Sequence, residues 1–110
     1  MNWENEIDMA VTVCDENGII VFMNEKAKAT FANYGGDLTG HNLLDCHPEP
    51  AKAKLQGMLE NPYTNAYTIE KAGLKKLIYQ TPRYENGVFR GIVEMSMVLP
   101  AEMPHFIRKA

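Results

Sequence analysis

Cys46 and His47 stand side by side near the middle of the chain, a thiol and an imidazole, the side-chain types that pair as nucleophile and base in covalent catalysis. Chain neighbours rarely point at one another, and the sequence supplies no orienting acid or oxyanion hole around them, so the pair does not predict an enzyme. Cys14, the other cysteine, lies far away, and neither belongs to a Cys-x-x-Cys pair; the reading is two free thiols rather than a zinc centre, a redox centre or a disulfide. Met58, Met95 and Met97 carry the pliable thioethers that line adaptable pockets, although ordinary core packing uses them equally. Tyr67, Tyr79 and Gln80 would add polar groups to such a pocket, provided that their strands run in the right phase.

These groups must be carried by short elements. Residues 9–15 and 19–23 are β-branched runs around Glu16, Asn17 and Gly18, a hairpin signal. Asn24 predicts a helix N-cap with Glu25 against the first-turn amides, and Ala27, Thr30, Phe31 and Tyr34 recur at helical spacing until Gly35 and Gly36 stop the helix. From Asp37 to Pro50, Gly40, Asn42, Pro48 and Pro50 allow only a helical turn around Leu38 and another around Leu43 and Leu44. Pro48, Glu49 and Pro50 suit the start of a further helix running to about Glu60, with Leu55, Met58 and Leu59 as its buried stripe. Three strands follow, at about 63–71, 74–83 and 88–99, joined by Ala72-Gly73 and by Glu85-Asn86-Gly87. In the last strand Phe89, Gly91, Val93, Met95, Met97 and Leu99 form the more apolar face and are expected to face the core, leaving Arg90, Ile92, Glu94, Ser96 and Val98 outside.

A chain of 110 residues has room for one buried core, and 45% hydrophobic with 23% charged residues is the composition of an ordinary globular domain. Eleven basic against fourteen acidic side chains leave a net charge of −3, with the basic ones scattered apart from Lys71, Lys75 and Lys76. Nucleic acid would require a concentrated positive face, so it is not an expected partner. No run approaches the ~18 apolar residues of a membrane span, and the acidic first eight residues do not form a secretory signal; the cytoplasm is the expected location.

The order of strand, turn, strand, short helices and three strands resembles the PAS family. Asp15-Glu16-Asn17-Gly18-Ile19-Ile20 is similar to its first hairpin, and Asn24 to the Asn that closes its second strand. Gly35 or Gly36, then Leu38, Gly40, Asn42, Leu43, Leu44, His47 and Pro48, resemble its helical linker. Thr81-Pro82, Glu85-Asn86-Gly87 and Gly91-Ile92-Val93 resemble its last hairpin. Each piece is common by itself; their joint order over residues 9–99 is specific.

The resemblance implies an α+β fold, a five-stranded antiparallel sheet with short helices packed over one face, flanked by an N-terminal segment at 1–8 and a C-terminal tail at 100–110. It implies a sensory module, not an enzyme, that binds a small ligand between helices and sheet and signals by conformational change. The expected pocket residues are Leu43, Leu44, His47, Leu55, Met58, Ile78, Val93 and Met95. The expected partner face, for a homodimer or a separate effector protein, is Ile92, Glu94, Ser96 and Val98. Pro100 opposes the signalling helix that often follows this fold, so output is expected through another chain or through dimerisation. The resemblance leaves the cofactor open. Haem through His47 is a minor option, because the usual ligand sits on the long helix and residues 51–60 contain no His. Flavin adduct chemistry is not expected, since Leu43 rather than a cysteine follows Gly40-His41-Asn42. The alternative function is a ligand-free dimerisation or docking module with a filled core.

Overall fold

The computed structural model describes residues 1–110. Helix α1 (Trp3–Glu6) precedes β1 (Ala10–Cys14) and β2 (Ile20–Met23). Helix α2 (Glu25–Thr30), 3-10 turns at Ala32–Tyr34 and Leu43–Cys46, and helix α3 (Ala51–Glu60) then lead to β3 (Asn65–Lys71), β4 (Leu74–Glu85) and β5 (Val88–Val98). The five strands form one antiparallel sheet in the order β2-β1-β5-β4-β3, so the two early strands and the three late ones share a sheet through the β1–β5 pair.

Local chemistry accounts for the boundaries. Asp15 Oδ1 accepts from the amides of Asn17 and Ile19, which closes the first hairpin turn. Asn24 is fully buried and its amide is completely used: Oδ1 accepts from the Val11 and Ala27 amides, while Nδ2 donates to the Glu4 and Met9 carbonyls. One side chain thus caps α2 and ties α1 and β1 to it. Ala72-Gly73 and Asn86-Gly87 both have positive φ at each residue, the geometry that two-residue hairpin loops require.

The helices cover the concave face. Cys14, Ile20 and Ile92 from the sheet meet Ala27, Leu38, Leu43, Leu55 and Met58 in the core. Leu43, Leu55 and Met58, expected to line a pocket, are instead almost entirely enclosed in this core, and Leu44 is half-buried against it.

The phase of β5 is the opposite of the sequence expectation beyond Arg90. Tyr84 pairs with Phe89 but Arg83 pairs with Gly91, so Arg90 is an extra residue, a β-bulge that moves the following side chains to the other face. Ile92, Glu94 and Ser96 therefore face the helices, whereas Val93 and Met95 lie on the convex face opposite Thr81 and Tyr79. Val98, opposite Lys76, is exposed at the rim. Ile92, Glu94 and Ser96 are accordingly not an outer partner face, and Val93 and Met95 are not pocket residues.

Candidate functional site

Register brings the polar side chains into line. Thr12 on β1, Glu94 on β5, Gln80 on β4 and Asn65 on β3 lie in one row across the concave face; Ala10, Ser96, Ile78 and Tyr67 form the next. Over them lies the turn at Leu43–Cys46. Asn42 Oδ1 accepts from the Leu44 amide, and the Leu43 amide donates to the Gly18 carbonyl, so the turn is held to the first hairpin and presents His47 to the sheet.

His47 closes a buried chain of hydrogen bonds. Its Nδ1 lies 3.0 Å from the Leu43 carbonyl, which can only accept, so this nitrogen carries a proton. Its Nε2 lies 2.8 Å from Glu94 Oε1, and the Gln80 amide donates to the same oxygen at 2.7 Å. Gln80 Oε1 in turn accepts from Asn65 Nδ2 at 3.1 Å. Desolvation pulls the His47 pKa down, but the hydrogen bond and charge of Glu94, together with the Leu43 carbonyl, outweigh it and raise the pKa above the ordinary value. With His47 protonated the two side chains form an ion pair, 9% and 10% exposed. Glu94 Oε2 has no hydrogen-bond partner, and no unpaired side-chain polar atom is sealed from solvent, so Oε2 opens into the cavity that Glu94 lines.

That cavity, about 310 Å³, lies between α2, the 47–51 segment and the concave rows of β1, β5, β4 and β3. Of the residues expected there, His47 and Ile78 line it. Sequence reasoning missed Thr12, Phe31, Ile69, Lys71 and Lys76, and placed Glu94 and Ser96 on the wrong face. Tyr67 lines the cavity and Gln80 joins the network behind it, while Tyr79 points to the convex side, 37% exposed. A vestibule of about 640 Å³ shares Phe31, Cys46, His47, Pro48 and Lys71 with the cavity and continues toward Tyr34, His41 and Asp45.

Burial, with Glu94 nearby, pushes the Tyr67 phenol up to about 12 and keeps it a neutral donor. Burial likewise raises the Cys46 thiol, and its Sγ is directed to the Asn42 carbonyl rather than to His47, so the two do not pair as nucleophile and base. Haem does not fit His47 either, since both ring nitrogens are engaged and no lone pair is free for iron. No helix is long and apolar enough to cross a membrane.

No family model and no curated protein matches the sequence. Solved structures do resemble the fold. The PAS domain of BvgS from Bordetella pertussis superposes with a TM-score of 0.66 at 14% identity, over 87% of this chain and 80% of that one. The Aer2 receptor from Vibrio cholerae, described as a dual PAS-haem oxygen sensor, gives 0.64 at 14% identity, over 84% and 95%. The sensor region of a sensor histidine kinase gives 0.63 at 18% identity over 81% of this chain, which spans only 38% of that region. With the strand order, the short helical layer and the cavity between helices and sheet, these superpositions establish that the chain has the PAS fold.

Proposed function

We propose that the chain is a sensory module that takes a small ligand into the cavity beneath His47 and passes its presence to the sheet through the His47–Glu94–Gln80 network. The observation that carries this reading is a cavity within the ~300–1,000 Å³ range of ligand sites, where apolar side chains such as Phe31, Ile69 and Ile78 surround an acceptor atom, Glu94 Oε2, that is open to the cavity and that the protein leaves unpaired. A ligand that binds there meets a carboxylate already tied to both layers, so occupancy changes the contact between helices and sheet. It transmits a signal to the extent that it binds one arrangement of those layers more tightly than another. The committed bonding of His47 and the raised Cys46 thiol support a binding rather than a catalytic role.

Native mass spectrometry of gently purified protein tests this reading. A bound small mass is expected in the wild type and not in Ser96→Leu, which fills the cavity from the sheet side. An apo mass in both, with no thermal stabilisation by any member of a metabolite library, would remove the ligand reading.

A docking role has its own support on the convex face. Val93, Met95, Met97 and Leu77 lie there half-buried around the exposed Tyr79 ring, an apolar surface of the kind that partners cover. Met95→Glu is expected to convert an associated species to monomer with an unchanged far-UV spectrum, and an unchanged oligomer mass would count against the role. A charge at Ile92 cannot make this test, because Ile92 is completely buried.

A further inference from the structure

Resting on the ligand reading above, we propose that the ligand is a small organic acid, its carboxylate held by Lys71 and Lys76 at the cavity mouth and its other end carrying a hydroxyl or amino donor for Glu94. Ile69 on β3 faces Lys76 on β4, and Lys71 is two residues further along β3. The lysines are thus diagonal neighbours on the concave face, a pair whose Cβ atoms lie somewhat closer than about 7–8 Å. Both line the cavity, and neither takes part in any of the chain's ion pairs. Ammonium groups that both turn into one mouth repel each other, and an anion between them relieves the repulsion. That they stay unpaired in a chain of net charge −3 makes this mouth a local exception to the protein's charge.

Deeper in the cavity the charge balance differs. His47 and the Gln80 amide both engage Glu94 Oε1, which leaves Oε2 as an acceptor without a partner on a side chain only 10% exposed. A second carboxylate would be repelled there, whereas a hydroxyl or amine would supply the missing donor. Between the two ends Phe31 from the helical side and Ile69 and Ile78 from the sheet supply apolar wall, interrupted by the hydroxyls of Tyr67 and Ser96. A ligand matching this sequence of surfaces has an anionic end, a short hydrocarbon body and a donor end. A dicarboxylate, a neutral hydrocarbon or a cation each leaves one end mismatched.

The probes are straight-chain ω-hydroxy and ω-amino acids of about three to six carbons, a range suited to a pocket at the small end of ligand sites, each compared with its primary amide. Titration calorimetry on dialysed protein reads the affinities. At least one acid is expected to bind about tenfold or more tightly than its amide, each tenfold being 1.4 kcal/mol. The Lys71→Gln/Lys76→Gln double variant, changed only at the rim, is expected to lose that preference while binding the amide as before. Ser96→Leu, or Ala51→Leu if that variant fails to fold, is expected to abolish binding of both. Equal binding of acid and amide to the wild type, abolished by the cavity-filling variant, would overturn the acid assignment and leave the ligand reading standing. Binding of no probe, together with an apo native mass, would overturn both.

Discussion

Replacing His47 by alanine is expected to destabilise the fold by about 3–5 kcal/mol, because it removes one partner of a buried ion pair and leaves the other without compensation. Glu94 would keep a single donor, the Gln80 amide, for a side chain 10% exposed, and the Leu43 carbonyl would lose the ring N–H that it accepts. The double variant His47→Leu/Glu94→Leu, which removes both charges, is expected to recover much of the loss, since apolar side chains of similar volume can replace a buried pair at little cost. Urea denaturation of the wild type, the single variant and the double variant checks this. A double variant as unstable as His47→Ala would show that the pair's geometry, not its uncompensated charge, sets the cost.

The same pair fixes the sign of a pH dependence. The folded-state pKa of His47 is raised, since Glu94 and the Leu43 carbonyl outweigh desolvation. The unfolded chain binds that proton with the ordinary value of about 6.5. The stabilisation from His47 is therefore fully present below about 6.5 and is lost as pH rises through the raised folded value. Urea midpoints are expected to fall across that window in the wild type and to be flat there in His47→Gln. Tyr67, titrating at about 12, and the raised Cys46 thiol face the same region but change charge only at higher pH. A wild-type midpoint that rose with pH through the window would show that another group controls stability.

What the sequence makes legible here is the local chemistry. Asn24 reads as a cap because its side chain can accept from an amide three residues on, and it does. Asn86-Gly87 reads as a hairpin because few other pairs tolerate positive φ twice, and both residues have it. The site was less legible for two reasons. Glu94 acquires its meaning from His47, 47 residues away, and no local pattern encodes that contact. The alternation rule also assumes that the more apolar face of a strand is the covered one. Here the covered face holds a polar network and a cavity, while Val93 and Met95 remain half-buried on the other side. One signal was available. Counted back from Asn86-Gly87 without interruption, Gln80 falls opposite Val93; a glycine inside a strand suggests a bulge, and one extra residue places Gln80 opposite Glu94 as observed.

Gly91 is where that shift is fixed, and Gly91→Ala is expected to cost more than about 4 kcal/mol, a loss seen only when a specific structural requirement is violated. Two penalties coincide. Its φ of 135° is open to glycine and strained for any L-residue, at about 1–3 kcal/mol. A Cβ there would also run into the Cys14 carbonyl oxygen and the backbone of Asp15, atoms that cannot rotate aside as a side chain can. Relief would require β5 to move away from the end of β1, next to Cys14 and Ile92, both completely buried. Small domains hold only about 5–15 kcal/mol in total, so Gly91→Ala is expected to accumulate little folded protein. Gly87→Ala is the control, because Gly87 also has a positive φ, 80°, but open space around it. It should cost only the conformational penalty of about 1–2 kcal/mol. Denaturation midpoints of the two variants separate the causes: equal losses would mean that backbone strain alone acts at Gly91. A much larger loss there would identify the contact with β1 as what sets the bulge, and hence as what turns Glu94 toward His47.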